Sequence, residues 1–326
     1  MELQVLIPRF TLIASAVALL SGCSKEITVE LPETDPKIVV EGSIETGQPP
    51  IVFLTRTQSF FAPTSVSSIA STFISDAVVT VDDGTSTFIL TRICSELIPD
   101  SLIDDAAAAT GIDADLLRAA NICAWTFLNN ELLGEEGRTY RLRVQADGQE
   151  LRSVTTIPNG VPLDSSWFRL ANQRPNDDSL GFIWGRLSDP DSIGNAYRWH
   201  ARRINRGADG EPKDSRFIAP FFSVFEDRYI NGLTFDFAYN RGQVPYSSAV
   251  DDLNEEGGFF KRGDTVVVKF SSIGLKEFNF FDSFYSNASS QGDVFSNPAN
   301  IVSNIDGGLG AWVGYAPRFD TVVCVP

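Results

Sequence analysis

The chain has 326 residues, of which 43% are hydrophobic and 21% are charged, a composition typical of folded rather than disordered proteins. Its 42 acidic side chains outnumber its 26 basic ones, and the formal net charge of −16 disfavours nucleic-acid binding because such a surface repels phosphate backbones. The single histidine, His200, excludes histidine-rich zinc sites and the paired histidines of a zincin motif.

The first predicted element is a lipoprotein signal peptide over residues 1–22. The apolar run FTLIASAVALL is eleven residues long, which is shorter than the roughly 20 residues that span a bilayer but suits the hydrophobic region of a signal peptide. The motif LSGC, which ends at Cys23, resembles the bacterial lipobox. We therefore predict that the mature chain begins at Cys23 and that this residue is lipidated. Its acyl chains would anchor the protein effectively permanently.

Residues 23–36 are predicted to form a lipidated tether, because the segment ITVELPETDP is rich in proline and acidic residues. Cys23 is followed by SKE rather than by aspartate, so the usual inner-membrane retention signal is absent. A lysine followed by an acidic residue resembles the surface-export signal of Bacteroidota lipoproteins. The expected location is the outer membrane, with the protein facing the cell exterior.

Residues 37–158 are predicted to form an antiparallel β-sandwich of the immunoglobulin or fibronectin kind. The segments KIVVEGSI and PPIVFLTRT have strand patterns, and tight turns at Asp83-Gly84 and Asp147-Gly148 join two β-hairpins. No helices alternate with these strands, which argues against a parallel sheet.

A small helical insert is predicted at 94–123, and it has a cysteine at each end. In an extracytoplasmic protein, a Cys94–Cys123 disulfide would close a loop of about 30 residues and contribute about 3–4 kcal/mol. The alternative is that both cysteines are reduced and buried. Cys324 is left without a partner in either case.

Residues 163–326 are predicted to form a second antiparallel β-rich domain, which begins after the proline-containing segment TIPNGVPLDSS. Phe278, Phe281 and Tyr285 recur at helical spacing and predict a helix. The last strands are predicted at GLGAWVGYA and DTVVCVP. The whole chain is therefore expected to be mainly β.

Several of these segments together resemble a family of uncharacterised Bacteroidota surface lipoproteins, classified as a domain of unknown function. They are the lipobox, KIVVEGSI with VFLTRT, GEEGRTYRLRV, TTIP leading into PLDS, and NPANIVSNIDGGLGAWVGYA. The resemblance extends from about residue 23 to 322. It implies an accessory role beside a TonB-dependent outer-membrane receptor, because such receptors are typically encoded next to family members. The family supplies no catalytic residues, so only Cys23 receives a definite role.

Trp125 and Trp167 lie beside predicted loops and are the candidate stacking platforms for a sugar or a flat hydrophobic ligand. Packing in a β core is the competing explanation for both. Trp184 and Trp199 lie within predicted strands and are assigned to the core.

Asp189, Asp191 and Asn195 could supply oxygen ligands to calcium from one short loop. Their spacing does not follow the EF-hand pattern, and the same residue types are common in ordinary turns. No metal or cofactor is predicted.

The sequence predicts a non-catalytic protein. His200 is assigned to a strand, and neither a G-x-S-x-G motif nor a P-loop accompanies it. The leading function is ligand capture or barrel capping for a TonB-dependent transporter. The alternative is a freestanding surface-binding or adhesion protein, and a hydrolase is the third possibility. The ligand itself is not identified by the sequence.

Overall fold

The computed structural model describes residues 35–58, 65–112, 114–172, 179–207, 210, 212–242, 256, 258–290 and 300–325. Its strands are β1 (Ile38–Glu45), β2 (Ile51–Arg56), β3 (Val78–Asp82), β4 (Thr87–Ile89), β5 (Thr91–Cys94), β6 (Cys123–Thr126), β7 (Thr139–Ala146), β8 (Gln149–Thr156), β9 (Ser165–Leu170), β10 (Leu180–Ser188), β11 (Ala196–Arg203), β12 (Val224–Glu226), β13 (Thr234–Tyr239), β14 (Phe260–Lys261), β15 (Thr265–Ile273) and β16 (Leu309–Val323). Its α-helices are α1 (Val66–Thr72), α2 (Ile103–Thr110), α3 (Ala114–Ala119) and α4 (Leu275–Ser290). The protein is mainly β, as predicted.

Both predicted hairpins are present. The turn between β7 and β8 has positive φ at Asp147 (50°) and Gly148 (72°), as a two-residue type I′ connection requires. In the turn between β3 and β4, the Asp83 carboxylate accepts hydrogen bonds from the backbone amides of Thr85 and Ser86. Local turn chemistry therefore fixes the register of both hairpins.

The first β-sandwich has one sheet of β5, β6, β2, β1 and the first half of β16, and a facing sheet of β4, β3, β7 and β8. Trp312 is fully buried in its core, and its indole N–H donates to the Tyr140 carbonyl at 3.2 Å. Gly42 permits this packing, because a Cβ atom there would lie 2.8 Å from the Trp312 ring. A large indole therefore joins the two sheets.

The second β-sandwich packs β12, β11, β15 and the second half of β16 against β9, β10, β13 and β14. Its core is strongly aromatic: Tyr197, Trp199 and Phe270 are fully buried, and Phe225 and Phe237 pack against them. The aromatic-rich composition of this part of the sequence is explained by core packing.

The structure differs at β16 from the predicted division into 37–158 and 163–326. β1 pairs in parallel with the first half of β16, up to Tyr315, and β15 pairs with the second half, from Ala316 onward. The two strands predicted at the C-terminus are therefore one continuous strand that both sandwiches share. Residues Pro36–Pro326 form one compact unit. The pairing joins residues about 270 positions apart, which local sequence patterns do not reveal.

The helical insert is present, and the structure contains the predicted Cys94–Cys123 disulfide. The two cysteines lie opposite each other in β5 and β6, so the bond closes the neck of the insert. The insert packs on the outer face of the first sandwich, where Leu117 and Ala107 are buried with Phe53 of β2.

Helix α4 is the helix predicted from the aromatic spacing. Phe281 and Tyr285 are buried against Val313 and Tyr315 of β16. No helix within the described residues is long and apolar enough to cross a membrane. The predicted signal peptide, Cys23 and the tether up to residue 34 lie outside the described residues, so their assignments stay predictions.

Candidate functional site

The two faces of β1 have opposite chemistry. Val40 and Ile44 point into the core of the first sandwich and are completely buried. Glu41, Ser43 and Glu45 point to the other face, because side chains alternate along a strand. A central strand thus carries a polar strip where full burial would favour apolar residues.

Two apolar clusters flank this strip. On one side, α4 packs Phe281 against β16 and its neighbours. On the other side, the disulfide-closed insert packs Leu117 against β2 and β6. Because β1 lies between β16 and β2, its polar strip forms the floor between two walls. We call this region, with Glu41, Glu45, Arg198, Lys269 and Tyr315, the polar recess.

The segment between β11 and β12 reaches across to the insert. The Arg216 guanidinium donates a hydrogen bond to the Gly111 carbonyl, at the turn that ends α2. Phe217 lies with its ring centroid 5.7 Å from the Lys269 ammonium nitrogen and 6.0 Å from the ring of Phe319. The second sandwich therefore contributes to the border of the recess beside the insert of the first.

Both cations of the recess are held by the chain itself. Lys269 forms an ion pair with Glu45, whose side chain is mostly buried. The Arg198 guanidinium donates to the hydroxyl groups of Tyr315 and Tyr285 and lies 3.6 Å from the centroid of Phe281, a cation–π contact. Lys269 is thus paired with a carboxylate, whereas Arg198 has no acidic partner among the described residues and its buried Nε has no hydrogen-bond partner there.

Glu41 is the exception among the charged groups of the recess. It forms no hydrogen bond or ion pair with the residues that the structure describes. Its side chain is accessible to solvent, yet desolvation by the surrounding protein raises its pKa, and the charge of Arg198 only partly opposes this.

His200 lies in β11, as predicted, with its ring 6.2 Å from that of Tyr315. Burial, together with the charges of Arg198 and Lys269, lowers its pKa well below 6.5, so the imidazole is neutral at physiological pH. Its Nδ1 has no hydrogen-bond partner among the described residues, and neither does the buried hydroxyl of Ser271. The two therefore do not form the contact that a nucleophile and its base require.

The positions of Glu41 and Glu45 along β1 do not support a glycosidase pair. Glu41 and Glu45 are four residues apart on one strand, which separates their Cα atoms by about 13 Å at about 3.3 Å per residue. Retaining glycosidases need about 5–5.5 Å between the two carboxyl groups, and inverting enzymes about 6.5–9.5 Å.

The assignment of Trp125 as a ligand platform is wrong, because the residue is 1% exposed and packs in the first core. Trp167 is half-buried on the outer face of the second sandwich, where it stacks on Trp184 at 6.3 Å. Arg186 lies 6.0 Å from the Trp167 ring, and Arg169 lies 5.6 Å from Trp184. A ligand stacking on Trp167 would compete with contacts that the chain already makes.

The proposed calcium ligands serve the local loop. Asp189 is buried and accepts hydrogen bonds from the Tyr197 hydroxyl at 2.5 Å and from the Gly232 amide at 3.2 Å. The Asn195 side chain donates to Asp227, and the Asp191 carbonyl accepts from Asn231. Over the described part of the chain, no group of three or more histidine, cysteine or acidic residues could hold a metal ion.

A second group of charges, which local sequence patterns do not reveal, is buried in the second sandwich. Arg203 is 1% exposed and pairs with Asp214 at 2.9 Å and with Glu256 at 2.7 Å. We call this group the buried charge cluster; its described members are Arg203, Lys213, Asp214, Arg241, Glu256 and Asp264. Nearby, burial and the charge of Asp264 raise the pKa of the free Cys324 thiol to about 12, so this thiol is unreactive at neutral pH.

Glu41 was also missed, although the sequence contains a signal. In KIVVEGSIE, Glu41 and Glu45 are four residues apart and therefore lie on the same face of a strand whose other face is apolar. An edge strand with one solvated face gives the same pattern. Only the pairing of β1 between β2 and β16 makes the glutamates unusual.

Comparisons with known proteins identify a family for this chain but give no information on its activity. A search of curated proteins returned no match. Among solved structures, the cycloalternan-degrading enzyme from Trueperella pyogenes in complex with cycloalternan is 11% identical, with a TM-score of 0.19, over 85% of this chain and 34% of that chain. This chain thus spans 34% of the length of that structure, and a similarity at this level supports no argument. The model described as "Domain of unknown function (DUF4249)" matches residues 24–318, and the protein therefore belongs to this family.

Proposed function

We propose that this protein is a non-catalytic, lipid-anchored lipoprotein of the outer-membrane surface that captures a small ligand in the polar recess and serves a TonB-dependent transporter. The observation that carries ligand capture is the state of Glu41. It is accessible and partly desolvated, and it has no partner among the described residues. Ionisable groups with perturbed pKa values in a recess are a recurrent feature of binding sites.

The anchoring and the location rest on the sequence. The LSGC motif supports lipidation at Cys23, and the SKE segment after it supports export to the cell surface. The resemblance to surface lipoproteins encoded beside TonB-dependent receptors supports the transporter as partner. Capping of the transporter barrel by the same face is a variant of this role.

The test is an affinity purification of the tagged protein from outer membranes in mild detergent, followed by mass spectrometry. We expect a TonB-dependent barrel in near-equal amount. Recovery of the lipoprotein alone, under conditions that preserve other receptor complexes, would contradict the accessory role and favour a freestanding binding protein. A Cys23→Ala variant is the matched control, because it should leave the membrane fraction while keeping its fold.

A further inference from the structure

Three exposed phenylalanines surround the ring of Tyr285 in the C-terminal half of α4. Phe221 and Phe222 lie in the connection between β11 and β12, with ring centroids 5.6 Å and 6.0 Å from that of Tyr285. Phe284, the neighbour of Tyr285 in α4, lies 5.8 Å from the same ring. All three phenylalanines are exposed, although burial of such a ring is strongly favourable. Two separate segments of the chain therefore present aromatic rings to solvent at one place.

This apolar surface continues onto the segment that precedes β16. The Val302 amide donates a hydrogen bond to the Ser283 hydroxyl at 2.9 Å, which holds the segment beside α4 next to Phe284. Ile301 and Val302 are both exposed as well. Single exposed apolar side chains are normal, whereas a continuous group of them marks a contact with a membrane or with another protein. We call the group of Phe221, Phe222, Phe284, Ile301 and Val302 the apolar patch.

The backbone at Phe222 is strained in a way that the fold does not require. The Ser223 amide donates to the Pro220 carbonyl at 3.1 Å and closes a tight turn. Phe222 is the third residue of this turn and has a φ of 58°, a left-handed conformation that favours glycine and is rare for a bulky side chain. Strained positions of this kind occur preferentially where a protein makes functional contacts. A glycine would relieve the turn, but it would remove a ring from the apolar patch.

The apolar patch lies close to the point where the predicted tether enters the fold. The hydroxyl of Ser303 donates to the Gly310 carbonyl at 3.0 Å, and Gly310 pairs with Val40 near the start of β1. Residue 35, the first that the structure describes, lies twelve positions after Cys23, a stretch of chain that spans at most about 40 Å. Acyl chains on Cys23 would therefore keep this end of the protein near the bilayer surface.

Charge favours a lipid surface over a second copy of the chain as the occupant. The five side chains of the apolar patch are uncharged. Two copies of a protein with a formal net charge of −16 repel each other, whereas a zwitterionic lipid surface carries no net charge. The boundary between headgroups and acyl chains accepts phenylalanine and aliphatic side chains without a shaped pocket.

We propose that the apolar patch inserts into the interfacial region of the lipid bilayer that carries the Cys23 anchor. The proposal rests on the proposed lipidation and adds a second, non-covalent membrane contact to it. It assigns the C-terminal half of α4 and the Phe221–Phe222 turn to the face that the anchored protein turns towards the bilayer.

The test measures flotation of the intact mature chain with phosphatidylcholine vesicles, using Cys23→Ala to remove the acyl chains. We expect binding that persists at high salt, because burial of apolar surface is not screened as charge attraction is. Phe221→Ser should lower the vesicle partition coefficient by about tenfold, since it removes an exposed ring from the contact. No vesicle binding by the chain without this substitution would overturn the proposal.

The matched control is Phe319→Ser. Phe319 is 58% exposed and Phe221 is 59% exposed, so the two substitutions remove similar apolar surface. Phe319 lies nine positions after Gly310 on β16, about 30 Å along the strand. Its substitution should change the partition coefficient by less than about twofold. Equal losses for Phe221→Ser and Phe319→Ser would show non-specific adhesion and overturn the assignment of the patch.

A second variant, Phe222→Gly, separates membrane contact from a structural role. Relief of the left-handed strain should offset the lost packing on Tyr285, so the melting temperature should stay within about 2 °C of the wild type. Vesicle partitioning should nevertheless fall by about tenfold. Full partitioning of this variant, or a large loss of thermal stability, would show that Phe222 serves the fold rather than the membrane.

The other possible occupants give different results. A dimer in sedimentation that Phe221→Ser dissociates, without vesicle binding, would replace the bilayer with a second copy of the chain. The outcome is also separable from that of the proposed function, because lipidated Phe221→Ser should still recover the transporter barrel. A recovered barrel without vesicle binding by the unacylated chain would overturn the apolar patch as a membrane contact and leave the accessory role in place.

Discussion

The buried charge cluster and the polar recess differ in whether their carboxylates have partners within the chain. In the cluster, Arg203 is almost completely buried and each of its acidic partners lies within hydrogen-bond distance. In the recess, Glu41 is accessible and has no partner within the described residues. A structural charge is compensated by the chain, whereas an accessible carboxyl group without a partner among the described residues is available to another molecule. Mutations should therefore have opposite effects on stability in the two regions.

The largest expected effect is in the buried charge cluster. Arg203→Met removes the cation between Asp214 and Glu256 and leaves both carboxylates without their main partner. Removing one member of a buried ion pair typically costs about 3–5 kcal/mol, because the remaining charge stays desolvated. Urea denaturation at pH 7 would measure this loss.

The matched control is Arg186→Met, which breaks an arginine–aspartate pair on the outer face of the second sandwich. Arg186 contacts Asp236 at 2.6 Å, but the two side chains are 51% and 35% exposed. An exposed pair contributes about 0–1 kcal/mol. Equal losses for the two variants would mean that burial does not distinguish the cluster.

The next effect concerns the wall of the recess. Replacing both Cys94 and Cys123 with alanine opens the neck of the insert, whose cysteines are 29 residues apart. The chain-entropy model gives a loss of about 3–4 kcal/mol for a loop of this length. Hydrogen exchange should show the loss most strongly in α2 and α3. Reducing agent should destabilise the wild type in the same way. It should leave the stability of the double variant unchanged, since Cys324 is free. A further loss of stability in the reduced double variant would contradict the assignment of the effect to the Cys94–Cys123 bond.

A pH-dependent effect follows from His200 on the recess side of β11. Its pKa in the folded protein is well below 6.5, so at mildly acidic pH the unfolded chain binds a proton that the folded chain does not. Stability should therefore fall as pH decreases below about 6.5, by up to about 1.4 kcal/mol per pH unit from this group. Urea denaturation of the wild type and His200→Gln at pH 7.5, 6.5 and 5.5 would test it. The variant should lose less; parallel curves would show that His200 is not the source.

The contrast also explains which features could be predicted from the sequence. The hairpins, α4, the insert and its disulfide depend on turn residues, on 3.6-residue periodicity and on cysteine spacing, which are local signals. The shared strand β16, the recess and the charge cluster depend on which distant strands become neighbours. Trp125 was misassigned for the same reason: it precedes a loop in sequence, but its strand pairs with β2 and its side chain enters the first core.

The smallest expected effect is the most informative about the recess. The pKa of Glu41 is raised in the folded protein, so the folded chain holds a proton that the unfolded chain releases above its ordinary pKa near 4.5. The charged form at pH 7 is then a cost to folding, and this contribution disappears as pH falls. Glu41→Gln should consequently stabilise the free protein at pH 7, by an amount on the order of 0.5 kcal/mol because the accessible carboxylate keeps part of its hydration.

Asp214→Asn is the comparison for that measurement, since it makes the same kind of substitution in the buried charge cluster. It should destabilise the protein, because Arg203 and Arg241 lose an anionic partner. If Glu41→Gln raises the stability and Asp214→Asn lowers it, a general effect of net charge does not explain the result, because both substitutions remove one negative charge. Binding proteins often give up stability at the ligand-contacting residue, because the interaction that would stabilise it is completed only by the ligand. If Glu41→Gln were instead destabilising, Glu41 would have a structural partner, and the distinction between the two regions would fail.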